Sequence, residues 1–196
     1  MAFPSYTTAD TSDGTLDVEL LHAQIVEDPA IATALLGVDR AGSSFMLLFA
    51  ATPSAAEQVR CDALVSAHSS LPIVQERLVA EIKAHRDGTR LDSQILAEYP
   101  PGSGLLFSCK AESQANWSAL VSLDSLGLAP YPMTVTTYDE RATYTITTSA
   151  DLSGIVGAIS GEVLAERALA QPYIDGVIAA TSVADAQAAA APYLAF

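Results

Sequence analysis

The chain has 196 residues, half of them apolar and 16% charged, which is ample material for a core and unlike the low-hydrophobicity, high-charge composition of a disordered segment. A formal net charge of −14, with Lys83 and Lys110 the only lysines, repels phosphate backbones and anionic lipid, so neither nucleic acid nor a bare membrane surface is an expected partner. No apolar run approaches the ~20 residues that span a bilayer, so no membrane insertion is expected, and the first residues, MAFPSYTTADTSDGTLDVE, lack the basic and apolar regions of a secretory signal.

Residues 1–15 read as an N-terminal arm, mobile unless a neighbour holds it. Over residues 16–25, Leu16, Val18 and Leu20 alternate with Asp17 and Glu19, the period of a half-buried strand. Asp28-Pro29 offers an N-cap and a first-turn proline for a short helix through Ile31 and Leu35, with Gly37 as its stop. The run SFMLLFA over 44–50 predicts a strand covered on both faces. Ser54 and Glu57 have the spacing of a capping box, and Ala56, Val59, Ala63 and Ala67 mark a helical face behind it. A second helix from Pro72 carries Val74, Leu78 and Ile82 at i, i+4 spacing and stops near Asp87-Gly88.

Strand, helix, strand, helix, helix over 16–99 makes a small α+β module. Residues 100–104, Pro-Pro-Gly-Ser-Gly, read as the linker to a second α+β module over 105–196. There a helix through Trp117, Leu120 and Val121 ends at Gly127, and Pro130 and Pro132 bracket Tyr131 at a corner. Residues 133–138 and 142–147, rich in Thr, Val, Ile and Tyr around Asp139-Glu140-Arg141, predict a hairpin. Ser149 or Asp151 caps a helix with Leu152, Ile155, Ile159 and Val163 on one side, although Gly154 and Gly157 weaken it on propensity. Pro172 interrupts that helix, a short one follows over 173–180, and Thr181-Ser182 caps a last Ala-rich helix. The fold class is α+β in two small modules, the second ordered helix, hairpin, helices.

Spacing assembles no catalytic or metal site. His22, His68 and His85 belong to no HExxH, HxH or Cys/His pair, so each reads as structural. Asp10-Thr11-Ser12-Asp13-Gly14 begins like a calcium loop, but glycine falls at the fifth position and Leu21 occupies the place of the bidentate glutamate, so it reads as a polar turn. Gly102-Ser103-Gly104 lacks the flanks of a phosphate loop or a nucleophile elbow. Glu112, Asp124, Asp139 and Glu140 read as solvated carboxylates, and the triplet Asn116-Trp117-Ser118 lies inside a predicted helix. Cys61 and Cys109 both fall in apolar surroundings; one disulfide is possible and nothing requires it. Aromatic side chains stack on sugars, which leaves Tyr131, Tyr138 and Tyr144, with Trp117, as candidate ligand or partner contacts.

The run Ala111-Glu112-Ser113-Gln114-Ala115-Asn116-Trp117, the helix through Gly127, Tyr131-Pro132-Met133-Thr134-Val135, Tyr138-Asp139, Tyr144, the capped helix from about Ser149 and the start Thr181-Ser182-Val183-Ala184 cover roughly the last 90 residues. Together they resemble a domain of unknown function found toward the C-termini of bacteriophage tail-fibre and tail-associated proteins. Ile31-Ala32-Thr33-Ala34-Leu35, the 45–49 strand and the 54–68 helix resemble segments that recur in that order in predicted phage proteins. The resemblance implies a non-enzymatic structural component of the virion at a tail-fibre or baseplate attachment, made in the bacterial cytoplasm. It also implies contacts with other virion proteins, a homo-oligomer with three copies as the expected number, and no cofactor. The alternatives are a host-surface glycan-binding module, a capsid or collar decoration protein, and an envelope hydrolase with its site around His68 or His85.

Overall fold

The computed structural model describes residues 4–196; the first three residues of the expected arm lie outside them. Helices and strands mix in the α+β class expected from the sequence. Contacts divide the chain into residues up to 78 with 177–188, and residues 79–176 with 189–196.

In the first unit, β1 (Ser5–Thr7), β2 (Leu35–Ala41) and β3 (Ser44–Phe49) form an antiparallel sheet in the order β1-β3-β2. The expected arm is therefore partly a strand, Ser5 pairing with Met46 and Thr7 with Ser44. β3 buries Phe45, Leu47 and Phe49 while Met46 and Leu48 stay half-exposed, so one face is covered rather than two.

The expected strand at 16–25 is instead helix α1 (Val18–Val26). Asp17 is its N-cap, accepting from the Leu20 N–H at 2.9 Å, and Leu21 and Ile25, one turn apart, are fully buried. Conversely, no helix forms over 28–37. Asp28 turns back on the Ala30 N–H at 2.9 Å, the Ala32 and Thr33 N–H groups donate to the Glu57 carboxylate, and Gly37 follows a register shift in β2.

Helix α2 (Ala55–Ala67) has the expected Ser54–Glu57 capping box. Its buried face is Glu57, Cys61 and Val65, not the Ala56–Val59 stripe, and Val59 is 68% exposed. α3 (Leu71–His85) begins where expected but passes into a π-helical segment, Arg86–Gln94, instead of stopping at Asp87-Gly88.

In the second unit, β4 (Leu96–Glu98) pairs antiparallel with β5 (Leu106–Ser108). The 100–104 segment is the turn between them, closed by the Gly104 N–H on Glu98 Oε1 at 2.6 Å, with Gly102 and Gly104 at positive φ. It joins two strands of one unit and is not a linker between modules; breakers that end helices serve a hairpin turn equally well. Helix α4 (Ala111–Ser125) closes at Gly127 (φ 70), where the Leu128 N–H reaches the Leu123 C=O at 2.9 Å. β6 (Met133–Thr136) and β7 (Thr143–Ile146) make the expected hairpin.

Helix α5 (Ser149–Ala179) presents the expected stripe, with Leu152 and Ile155 fully buried and Ile159 and Val163 nearly so, against Ala97, Phe107, Cys109 and Ile146. Its start is a Thr148–Asp151 box: the Thr148 N–H donates to Asp151 and the Asp151 N–H to the Thr148 hydroxyl. The helix continues through Pro172 because Ala170, Ile174 and Val177 stay buried on its packed side, outweighing one lost backbone bond. Ser182 caps α6 (Val183–Leu194), accepting from the Asp185 N–H at 3.1 Å. Cys61 and Cys109 are free thiols, one in each unit.

Gly154 and Gly157 have different reasons to be in α5. A Cβ on Gly154 would overlap the Tyr99 ring, which is itself packed edge-to-face on Tyr144 at 5.9 Å; one on exposed Gly157 would meet nothing within 4 Å. Gly157→Ala should therefore stabilise by up to about 1 kcal/mol. Gly154→Ala, favoured equally by propensity, should destabilise by about 1 kcal/mol as the overlap outweighs the gain. Urea unfolding of the two variants checks the opposite signs.

Candidate functional site

Helix α4 buries no side chain completely. Trp117 and Leu120 rest against the second unit's core, Trp117 edge-to-face on Phe107 at 5.9 Å. The helix stands off the β6–β7 hairpin and leaves a groove of about 490 Å³. One wall is α4, with Ser113, Asn116 and Trp117; the other is the continuous run 134–138 of the hairpin. Phe107 and Ser108 of β5 close the space between them. At the Tyr138 end, the Tyr138 N–H donates to the Leu106 C=O at 2.8 Å and ties the hairpin to β5. Outside the groove lining, the Tyr131 hydroxyl donates to Asp124 Oδ1 at 2.9 Å, and Ser149 bonds Asp124 Oδ2, fixing the C-terminal end of α4. Lys110 and Glu140 line the groove and form no ion pair among the described residues.

Of the three tyrosines expected as contacts, only Tyr138, 44% exposed, lines this groove. Tyr131 packs on the core, and burial followed by its bond to Asp124 raises its hydroxyl above the usual range. Tyr144 lies between Tyr99 and Phe107, edge-to-face on both, with its hydroxyl 3.4 Å from Asp151. Sequence reasoning missed Asn116 and Thr136 as groove residues. Their only local signal is a polar side chain in each run.

The histidines go elsewhere. His68 is fully buried, its Nε2 accepting from the Asp17 N–H at 3.2 Å and its Nδ1 sitting 3.0 Å from Gln24 Oε1. Both ring nitrogens are thereby used to hold α1 against the end of α2. His22 is half-exposed on α1. The acids of the calcium-like turn are similarly occupied: Asp10 accepts from Thr7, while Asp13 accepts from Thr15, Ser69 and the Leu71 N–H that opens α3.

His85 borders a second polar cluster. The Glu166 carboxylate, 4% exposed, takes both arms of Arg90 and the Tyr193 hydroxyl, the last at 2.6 Å. Burial alone would raise the Glu166 carboxyl, but the bonds from Arg90 and Tyr193 hold it below its usual range. His85 stands edge-on to the Tyr193 ring at 5.8 Å, its Nε2 buried without a partner. Arg90 also lies over Phe196, 5.3 Å from the ring centre. Arg90, Glu166 and Tyr193 satisfy one another at short range, as a polar tie inside a core does, and His85 joins them only through its ring contact with Tyr193. Among the described residues no three His, Cys, Asp or Glu side chains gather as a metal site.

Comparison with protein-family models, curated proteins and solved structures finds no match for this chain.

Removing one partner of the polar tie leaves a buried charge uncompensated. Glu166→Ala should lower unfolding free energy by about 3 kcal/mol or more, and Tyr193→Phe, which loses one bond to a charged group, by about 1–2 kcal/mol. Urea denaturation of both variants and of the double variant checks this, the double variant falling short of additivity.

Proposed function

We propose that the protein is a non-enzymatic structural component of a bacteriophage virion, a tail-fibre or baseplate attachment or adaptor protein that works through contacts with other virion proteins as a homo-oligomer. The observation that carries the reading is the end of α4. Within residues 121–128, Val121 and Leu123 are 38% and 39% exposed, and Leu126 and Leu128 are 71% and 64% exposed. Single apolar side chains on a surface are ordinary; four within eight residues, at the end of the helix that walls a groove lined by Trp117 and Tyr138, favour burial against another chain. The likeness of residues 107–196 to a domain of phage tail proteins supports a virion as the setting. No helix among the described residues is long and apolar enough to cross a membrane.

Two measurements test this. Mass spectrometry of purified particles should find the chain, and light scattering of the purified protein should give a multiple of the 20.4 kDa protomer mass. The double variant Leu126→Asp, Leu128→Asp should keep the wild-type melting temperature while association with particles falls ~10-fold or more. A monomer that never accompanies particles would overturn the proposal.

A further inference from the structure

In an antiparallel ladder, backbone groups point alternately toward the neighbouring strand and away from it. The register of β6 on β7 pairs Val135 with Tyr144 and Thr136 with Thr143. Just beyond, the Thr137 N–H donates to the Ala142 C=O at 3.0 Å, whereas the Tyr138 N–H points the opposite way, to Leu106 of β5. Odd-numbered residues of β6 therefore face β7. The N–H and C=O groups of Thr134 and Thr136 face outward, and among the described residues they have no hydrogen-bond partner beyond the hairpin. What they face is the groove. Five consecutive residues, 134–138, line it, as a strand edge does; a strand face would show only every second one.

We infer that the free edge of β6 is a strand-addition site, at which an extended, net-basic segment of a partner polypeptide pairs with Thr134 and Thr136 and lies between β6 and α4. This rests on the reading of the protein as one that works through protein contacts. Two outward N–H and C=O sets, one strand repeat or about 7 Å apart, match the backbone of another strand. Sugar hydroxyls carry no such alternation. The groove volume falls within the range of ligand sites. Its far wall supplies the Ser113 hydroxyl, the Asn116 amide and the Trp117 ring to the inserted segment's other side. Lys110 and Glu140 both line the groove, and the chain's net charge of −14 attracts a segment of opposite sign. A second copy is the poorer occupant. It carries the same net charge, and its own β6 edge is covered on the groove side by its own α4.

A random dodecapeptide display library selected on the immobilised full chain supplies the probe, and amide hydrogen exchange by NMR supplies the readout. Basic peptides should be enriched, and the tightest should slow exchange at Thr134 and Thr136 by ~10-fold or more, with little change at Val135 and Thr137, which already pair with β7. N-methylation of alternate peptide residues should abolish that protection. Asn116→Arg, which fills the groove from an exposed position of α4, should weaken binding by ~10-fold or more without moving the melting temperature. The inference is overturned if no peptide is enriched, if bound peptides protect other amides instead, or if oligosaccharides and not peptides protect Thr134 and Thr136. A chain present in particles whose groove takes no peptide overturns the strand-addition site alone. Peptide pairing by a chain that never enters particles upholds the site while the virion role falls.

Discussion

A two-stranded hairpin is marginal in water, and the second unit contains two of them. What lets both persist is one helical stripe. Leu152, Ile155, Ile159 and Val163 of α5 cover Ala97 of β4, Phe107 of β5 and Ile146 of β7 in a single core. The Thr148–Asp151 box starts α5 immediately after β7, so the hairpin and the helix that buries it are joined without slack. Gly154 admits the Tyr99 ring against the α5 backbone and so seats the end of β4 on the helix. The groove between α4 and β6 inherits this rigidity. Its β wall is fixed by α5, and its helical wall is fixed by Trp117 on Phe107 and by the two hydroxyls that reach Asp124.

Polar chemistry in the first unit is spent on the same end. Glu57 receives the N–H groups of Ala32, Thr33 and Ser54, and the bonds from Ser54 foremost, then Thr33, hold its carboxyl down at about 2. Asp13 caps α3, and His68 bridges α1 and the end of α2. Residues that look like candidate acids, bases or metal ligands in isolation are thus occupied as struts, each satisfying loop backbone that has no ladder of its own. In the second unit the Arg90–Glu166–Tyr193 tie works differently, joining side chain to side chain.

Much of this was legible wherever the signal is local. The α5 stripe, the Ser54–Glu57 box, the β6–β7 hairpin and the Gly127 stop are all set by residues within a turn or two of each other. Misreadings came where a local pattern fits two structures. Alternation over 16–20 is also an N-cap followed by a first turn, and only Leu21 and Ile25 distinguish them. Pro-Pro-Gly-Ser-Gly reads equally as linker or hairpin turn, and the partner that decides is Leu105, reached by the Tyr99 N–H. The groove was hardly legible at all, because it joins Phe107, Asn116 and Thr136, and the direction of the free edge depends on strand register. Tyr138 could be picked out as an aromatic; that Tyr131 and Tyr144 fill the core instead follows from the packing of α5 and β5.

Lysine is so scarce here that it makes a natural probe of the central claim, that this protein works by seating another chain at the α4–β6 groove. Lys110 lines the groove, while Lys83 lies on the exposed side of α3. Amine-reactive cross-linking of intact purified particles, read by mass spectrometry, asks which of the two has a neighbour. The account predicts links from Lys110 to a different virion protein. Links from Lys83 alone, or particles without the chain, would contradict it.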